Sequence, residues 1–255
     1  MSANRPPPQL HPDWIVPEWP APPGVRALVT TRAGGTSAAP FASFNVGFST
    51  GDALEAVQEN RRRLRELLPG EPRWLTQVHG AEVVDAESAL DRPAADASVA
   101  KTPGTVCAIL VADCLPVLFC DREGSLIAAA HGGWRGLAAG VIDNTVAALR
   151  AGGADPRDLF AYIGPGIGPR AFEVGDEVRQ AYVSNDASVQ SAFVPHGPGK
   201  WLADLPALAR RALERCGVRD VQGGNLCTYS DAKRFYSYRR DKVTGRMAAL
   251  IWRER

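Results

Sequence analysis

The segment Val106-Cys107-Ala108-Ile109-Leu110-Val111-Ala112 has no polar residue on either of its two alternating faces. Successive side chains of a strand point to opposite sides, so a strand apolar on both must be covered on both. The chain therefore needs a sheet with packed layers above and below it. With 255 residues, 45% of them hydrophobic, it has enough material for such a core without disulfides or metal staples.

Around this run the chain alternates irregularly between strand and helix signals. Strand-like runs span 25–31, 73–78, 82–86, 117–120, 125–130, 159–163 and 247–252. Helices are expected from Asp52 (as N-cap) to Leu68, and over 137–150, 176–183 and 205–216, each with one apolar stripe. Strands in blocks with helices inserted irregularly point to an α+β fold, with mixed β-sheets and helices packed on the outside in a single domain. The first 24 residues hold eight prolines, with Trp14, Ile15 and Trp19 between them. Proline disfavours helix, so residues 1–24 are expected as an extended arm lying on a catalytic domain of residues 25–255.

Charge and cysteine usage narrow the function. Lys+Arg 29 against Asp+Glu 28 leaves +1, without the surplus cation that general nucleic-acid binding requires. No segment has the roughly 20 apolar residues of a membrane span, and the N-terminus lacks the apolar region of a signal peptide. Five cysteines, an odd number with no CxxC spacing, point to a reduced, cytoplasmic protein. Four histidines are too few for a multi-copper cluster.

Three of these residues stand at strand ends, flanked by Gly or Pro: His79 in TQVHG, Cys114 in ADCLP and His131 in AHGGWRG. Neighbouring strand ends lie side by side, so the three can converge despite their separation in sequence. Two imidazoles and a thiolate suit Zn²⁺ and leave a fourth position for water or substrate. The same atoms also suit a cysteine nucleophile with a histidine base, or two satisfied histidines and a buried thiol. The sequence leaves these open. Cys107, Cys120, Cys216 and Cys227 read as structural. Arg135, with the backbone N–H groups at the start of the helix that GGWRG opens, forms an anion site on this reading. The loop 164–169 is not a phosphate cradle, because Pro165 and Pro169 lack N–H groups. Asp113, next to Cys114, is expected to point to the opposite face. The stretch 227–241, with Tyr229 and Arg239, concentrates aromatic and polar groups suited to a planar ligand.

TQVHG, ADCLPVLFCD, AAAHGGWRGLAAGV, IGPGIGPRAFEVGDEVR and FYSYRRDKVTGRMAALIW, in this order with SFN at 43–45, resemble the YfiH-like family. That family is also described as the polyphenol oxidase (laccase) domain and as purine nucleoside phosphorylase. The resemblance runs from about Val25 to Trp252. It implies zinc held by His79, Cys114 and His131, phosphorolysis of adenosine, inosine and 5'-methylthioadenosine, and deamination of adenosine. On this basis Asn45, Arg135, Tyr229 and Arg239 are expected around purine nucleoside and phosphate. HGGWRG departs from the expected HAGWRG at Gly132. The alternatives are a copper-dependent polyphenol oxidase, a cysteine hydrolase or amidase acting on cell-wall precursors, and a structural zinc module with Cys120 or Cys227 as fourth ligand. Oligomeric state is not legible.

Overall fold

The run from Val106 lies where both its faces can be covered. In the computed structural model, which describes residues 9–89 and 91–254, three sheets account for the strands. The first is formed by β1 (Val25–Val29), β13 (Met247–Arg253), β5 (Val106–Val111) and β2 (Pro72–Arg73), in that order. The second runs β12 (Asp220–Gly223), β8 (Leu159–Ile163), β6 (Leu115–Asp121), β7 (Ile127–Gly132), β4 (Ala97–Ala100) and β3 (Val83–Asp85). A small third sheet holds β10 (Phe193–Pro195), β11 (Lys200–Ala203) and β9 (Glu173–Gly175). Parallel pairs at β12/β8, β3/β4 and β2/β5 among otherwise antiparallel ones make the first two sheets mixed.

The two large sheets face each other. Cys107, Ile109 and Val111 of β5 meet Leu118, Cys120, Ile127 and Ala129 of β6 and β7 in one apolar layer. On the outer face of the six-stranded sheet, Val117, Phe119, Ala128 and Ala130 pack against α3 (Val141–Ala151) and α5 (Leu205–Arg215). The outer face of the four-stranded sheet is covered by α1 (Leu54–Arg65), Trp14 and Phe44. The order helix, sheet, sheet, helix buries both faces of β5, β6 and β7. Alternation of side chains explains why these strands read as unbroken apolar runs.

The remaining helices, α2 (Trp134–Ala138), α4 (Asp176–Val183) and α6 (Tyr238–Asp241), lie near chain turns. Residues 9–24 lie against this body: Ile15 bridges Val29, and Trp14 Nε1 donates to the Ala33 carbonyl at 3.0 Å. No helix among the described residues is long and apolar enough to cross a membrane.

Four local expectations need correction. The helix expected over 137–150 is two helices, because Gly140 takes the left-handed conformation (φ +90) between α2 and α3. Asp52 does not cap α1; Ala53 occupies the N-cap, and the Asp52 carboxylate accepts from Asn45 Nδ2 instead. The strand expected over 73–78 pairs only at β2, followed by a single bridge between Thr76 and Ala94. Strand β4 went unread because Ala97-Ser98-Val99-Ala100 is built of small residues with a weak apolar signal.

Candidate active site

Three adjacent strands of the six-stranded sheet, β4, β7 and β6, bring their residues to one edge of the molecule. His131 sits near the end of the middle strand, β7, and is almost fully buried. Cys114 immediately precedes β6 on one side, and Asp96 immediately precedes β4 on the other. The His131 N–H donates to the Asp96 carbonyl at 2.7 Å, which locks this register. His79 reaches the same place from a loop. The ligand atoms of His79, Cys114 and His131 lie within 4.8 Å of one another, so this group is able to hold a metal ion.

Asp96 organises the group. Its carboxylate is fully buried and accepts from the backbone N–H groups of Val78, His79 and Gly80 at 3.1, 3.0 and 2.7 Å. It also meets His131 Nδ1 at 2.8 Å. A carboxylate on Nδ1 fixes the ring tautomer and leaves Nε2 for a metal. Burial alone would raise the Asp96 pKa, but the imidazole and backbone donors overcome it and hold the carboxyl below the usual range. The loop that turns these three N–H groups onto one carboxylate holds His79 at φ +60, in the left-handed region that non-glycine residues adopt uncommonly, although histidine does so more than most.

The thiol of Cys114 stands apart from the others. Burial opposes ionisation, yet the His131 and His79 imidazoles bring its pKa down to about 6. His131 is also buried, but its anionic neighbours Cys114 and Asp96 raise it to about 9. By contrast, burial pushes Cys107, Cys120 and Cys216 up to about 12. The glycines of HGGWRG supply clearance. A Cβ on Gly133 would stand 3.0 Å from Cys114 Sγ and 3.1 Å from His79 Cδ2. One on Gly136 would stand 2.8 Å from the Gly80 carbonyl.

The group lies in a cleft of about 580 Å³ whose lining includes Phe48, Gln77, Asp113, Phe172, Tyr238, Arg239 and Arg246. Asp113 does not turn away as expected. It has left the extended conformation (φ +101), and its carboxylate lies in the cleft wall. Its two oxygens accept from Thr228 Oγ1 at 2.6 Å and the Arg239 N–H at 2.7 Å, which fixes the start of α6 and with it Tyr238. Outside the cleft lining, the Arg61 guanidinium lies against the cleft-lining Phe48 ring and the Trp74 ring, at 4.2 and 4.0 Å from their centres. Its Nε donates to the Val46 carbonyl at 2.8 Å, bracing the segment that presents Phe48.

Of the residues expected around substrate, Arg239 lines the cleft and the others do not. Asn45 is fully buried and acts as a bracket, donating to Thr50 Oγ1 and Asp52 at 2.9 Å each and accepting from Gly47 and Arg246. Arg135 is exposed and stacks on the neighbouring Trp134 ring, 4.4 Å from its centre. It points away because α2 carries it on its solvent side, while the Gly133 face of the turn meets Cys114. Tyr229 is 39% exposed; its carbonyl accepts from Arg240. Cys120 is sealed in the layer between the sheets, and Cys227 bonds Gly168 and Ser230, so neither belongs to the metal group.

Asp96 and Arg246 were not read from the sequence. Each had a signal. Asp96 is a lone charge in the small, apolar stretch Ala94 to Ala100, and a buried carboxylate must have partners. Arg246 immediately precedes the apolar strand β13.

Known proteins share this architecture and much of its sequence. Residues 26–254 match the family described as multi-copper polyphenol oxidoreductase laccase. A purine nucleoside phosphorylase of Pseudomonas aeruginosa is 56% identical over 241 residues, 94% of this chain and 98% of the relative. Purine nucleoside phosphorylase YfiH of Escherichia coli is 52% identical, covering 93% and 98%. The crystal structure of a Neisseria meningitidis protein matches with a TM-score of 0.91 at 48% identity, over 95% of this chain and 100% of that one. YfiH of Bacillus licheniformis matches with a TM-score of 0.83 at 30% identity, over 90% and 93%. The chain belongs to the laccase-domain, YfiH-like family, whose description speaks of copper while its similar relatives carry the name purine nucleoside phosphorylase.

Proposed function

We propose that this chain is a cytoplasmic, zinc-dependent purine nucleoside phosphorylase, acting on adenosine, inosine and 5'-methylthioadenosine, with adenosine deaminase activity. The observation that carries the reading is the convergence of His79, Cys114 and His131 on one cleft lined by aromatic rings and guanidinium groups. The names of the similar relatives support the phosphorylase part.

The donor set fits zinc. Two imidazoles, one of them oriented by a carboxylate, and one low-pKa thiolate form a three-ligand set with a further position open. Zinc held there would supply a Lewis acid towards an oxygen or nitrogen of the substrate. The remaining work falls to the chain. Phe48, Phe172 and Tyr238 offer apolar surface to the purine, and the Lys242 ammonium lies 5.8 Å from the centre of the Tyr238 ring. Gln77 is committed to β5, donating to and accepting from Leu110 at 2.9 and 2.8 Å, and so closes that wall without reaching for substrate. Cleavage of the glycosidic bond needs an anion beside C1' and a surface tolerant of oxocarbenium character; the cleft offers the guanidinium groups of Arg239 and Arg246 for the anion.

Copper oxidase chemistry of the multi-copper type needs more imidazoles than the chain has. Of its four histidines, His11 lies against Gly34, and His196 stands 3.6 Å from Glu173, leaving two at the cleft. A second reading has one observation in its favour: Asp96, His131 and Cys114 also form the order of a carboxylate–imidazole–thiolate nucleophile, which suits a cysteine hydrolase.

The test is to incubate the zinc-loaded protein with adenosine, inosine and 5'-methylthioadenosine, with and without phosphate, and to weigh the products. Ribose 1-phosphate (5-methylthioribose 1-phosphate from methylthioadenosine) formed only with phosphate is the expected result, with inosine from adenosine marking deamination. No product in any mixture overturns the nucleoside assignment, and a covalent adduct on Cys114 favours the hydrolase.

A further inference from the structure

Three guanidinium groups line the cleft, and they differ in what is left free. Arg92 is exposed on a loop. Arg239 donates through Nη1 to the Glu173 carbonyl at 2.6 Å and lies beside the Phe172 ring. Arg246 is held from several directions. Its backbone N–H donates to Asn45 Oδ1 at 2.8 Å, and its Nη1 donates to the Thr244 and Gly245 carbonyls at 3.1 and 3.0 Å. Its stem lies against Gly47, where a Cβ would come within 2.7 Å of Arg246 Cγ.

This tethering leaves the Nε–Nη2 edge. Neither nitrogen has a partner among the described residues, and neither is sealed from solvent. That edge is the fork that takes two oxygens of a phosphate side by side. The negative groups acting on it are Cys114 and Asp113. Asp113 already accepts from Thr228 and Arg239, so the fork is not closed by an internal ion pair. Burial of the group strengthens its pull on an anion that enters the cleft.

Resting on the phosphorylase reading, we propose that the Nε–Nη2 edge of Arg246 is the subsite for inorganic phosphate, the role that sequence had given to Arg135. The anion held there lies in the same cleft as the cluster. One phosphate oxygen forms the bond to C1' as the C1'–N9 bond breaks. The electron pair leaves on N9, and the purine takes the proton that the attacking oxygen gives up.

The experiment measures phosphate binding by calorimetry, and the KM for phosphate and for inosine, in the zinc-loaded wild type, Arg246→Gln, Arg246→Lys and Arg135→Gln. Loss of a bidentate charged hydrogen bond predicts about 10- to 100-fold weaker phosphate binding in Arg246→Gln, with the inosine KM within about twofold. Arg246→Lys keeps the charge and loses the fork; it is expected to weaken phosphate by at least about fivefold, and it carries the test if the Gln variant fails to fold. Unchanged phosphate affinity in the Arg246 variants, an equal rise in both KM values, or a loss confined to Arg135→Gln overturns the proposal. Phosphate binding that depends on Arg246 in a protein that cleaves no nucleoside overturns the phosphorylase reading and keeps the subsite. A wild type that takes up no phosphate overturns both.

Discussion

The two histidines of the cluster are held by opposite means. His131 lies within β7, a strand paired on both sides, with its N–H held by the Asp96 carbonyl, and is nearly inaccessible to solvent. His79 is on a half-open loop at φ +60, away from any strand, and is itself exposed. One is positioned by the fold, the other by Asp96, whose single carboxylate holds three loop N–H groups and the His131 ring together. A metal site assembled from a rigid half and a tethered half stays preorganised only while its tether is intact. It follows that equal truncations on the two sides have unequal consequences.

The largest contrast is between His131→Ala and His79→Ala. Both are expected to lose metal, but removing His131 also strips the buried Asp96 of a partner. That costs about 3–5 kcal/mol, against less than about 1 kcal/mol for the exposed His79. Calorimetric unfolding of the chelated proteins measures this difference; equal losses would break the comparison. Next comes Asp96→Asn. It should weaken metal binding about 10- to 100-fold and speed amide exchange at Val78 to Gly80, while β7 stays protected. Exchange that speeds equally in β7 would mean that Asp96 supports the sheet rather than the loop.

Proton competition has a similar scale. The Cys114 pKa is depressed to about 6, so its thiolate is present above that pH and is lost as pH falls through it. Metal must also displace the proton of His131, whose pKa is raised to about 9, so affinity is expected to fall by up to about tenfold per pH unit through neutrality and more steeply below about pH 6, where the thiolate is protonated as well. A titration with a competing chelator checks this, and a slope that does not steepen below about pH 6 would show Cys114 not to be a ligand. Gly133→Ala is the smaller perturbation. Its methyl would press on Cys114 Sγ at 3.0 Å, giving about a tenfold loss of metal affinity with little change in fold. Gly132→Ala, facing the Leu115 carbonyl at 3.0 Å and no ligand, should shift stability by about 1 kcal/mol or less and leave metal binding unchanged.

The sequence was most informative where physical patterns are local. Val106–Val111, Leu159–Ile163 and Asp176–Val183 show as an apolar run, a second apolar run and an amphipathic stretch, because burial dictates their residues. The expectation that His79, Cys114 and His131 stand at strand ends carried the idea of convergence; β6 pairing with β7 delivers it for Cys114 and His131, whereas His79 arrives from a loop. What remained hidden depends on sheet order. Asp96 is next to His131 only because β4 pairs with β7, thirty residues onward, and a strand of small residues gives little warning of that. Arg135 was expected at the cleft, whose lining does not include it, for a related reason. A helix start near a histidine looks like an anion site until the direction of each side chain around the turn is known. Arg246 had the reverse problem: its place just before an apolar strand marks it, but does not tell a surface arginine from one whose fork faces a cleft.

The most direct test of the central claim, that two histidines and one cysteine form a single mononuclear centre, is the metal content of the purified protein by mass spectrometry. The account predicts one zinc ion per chain in the wild type and none in Cys114→Ser. Several copper ions per chain, or zinc retained in full by Cys114→Ser, would contradict it.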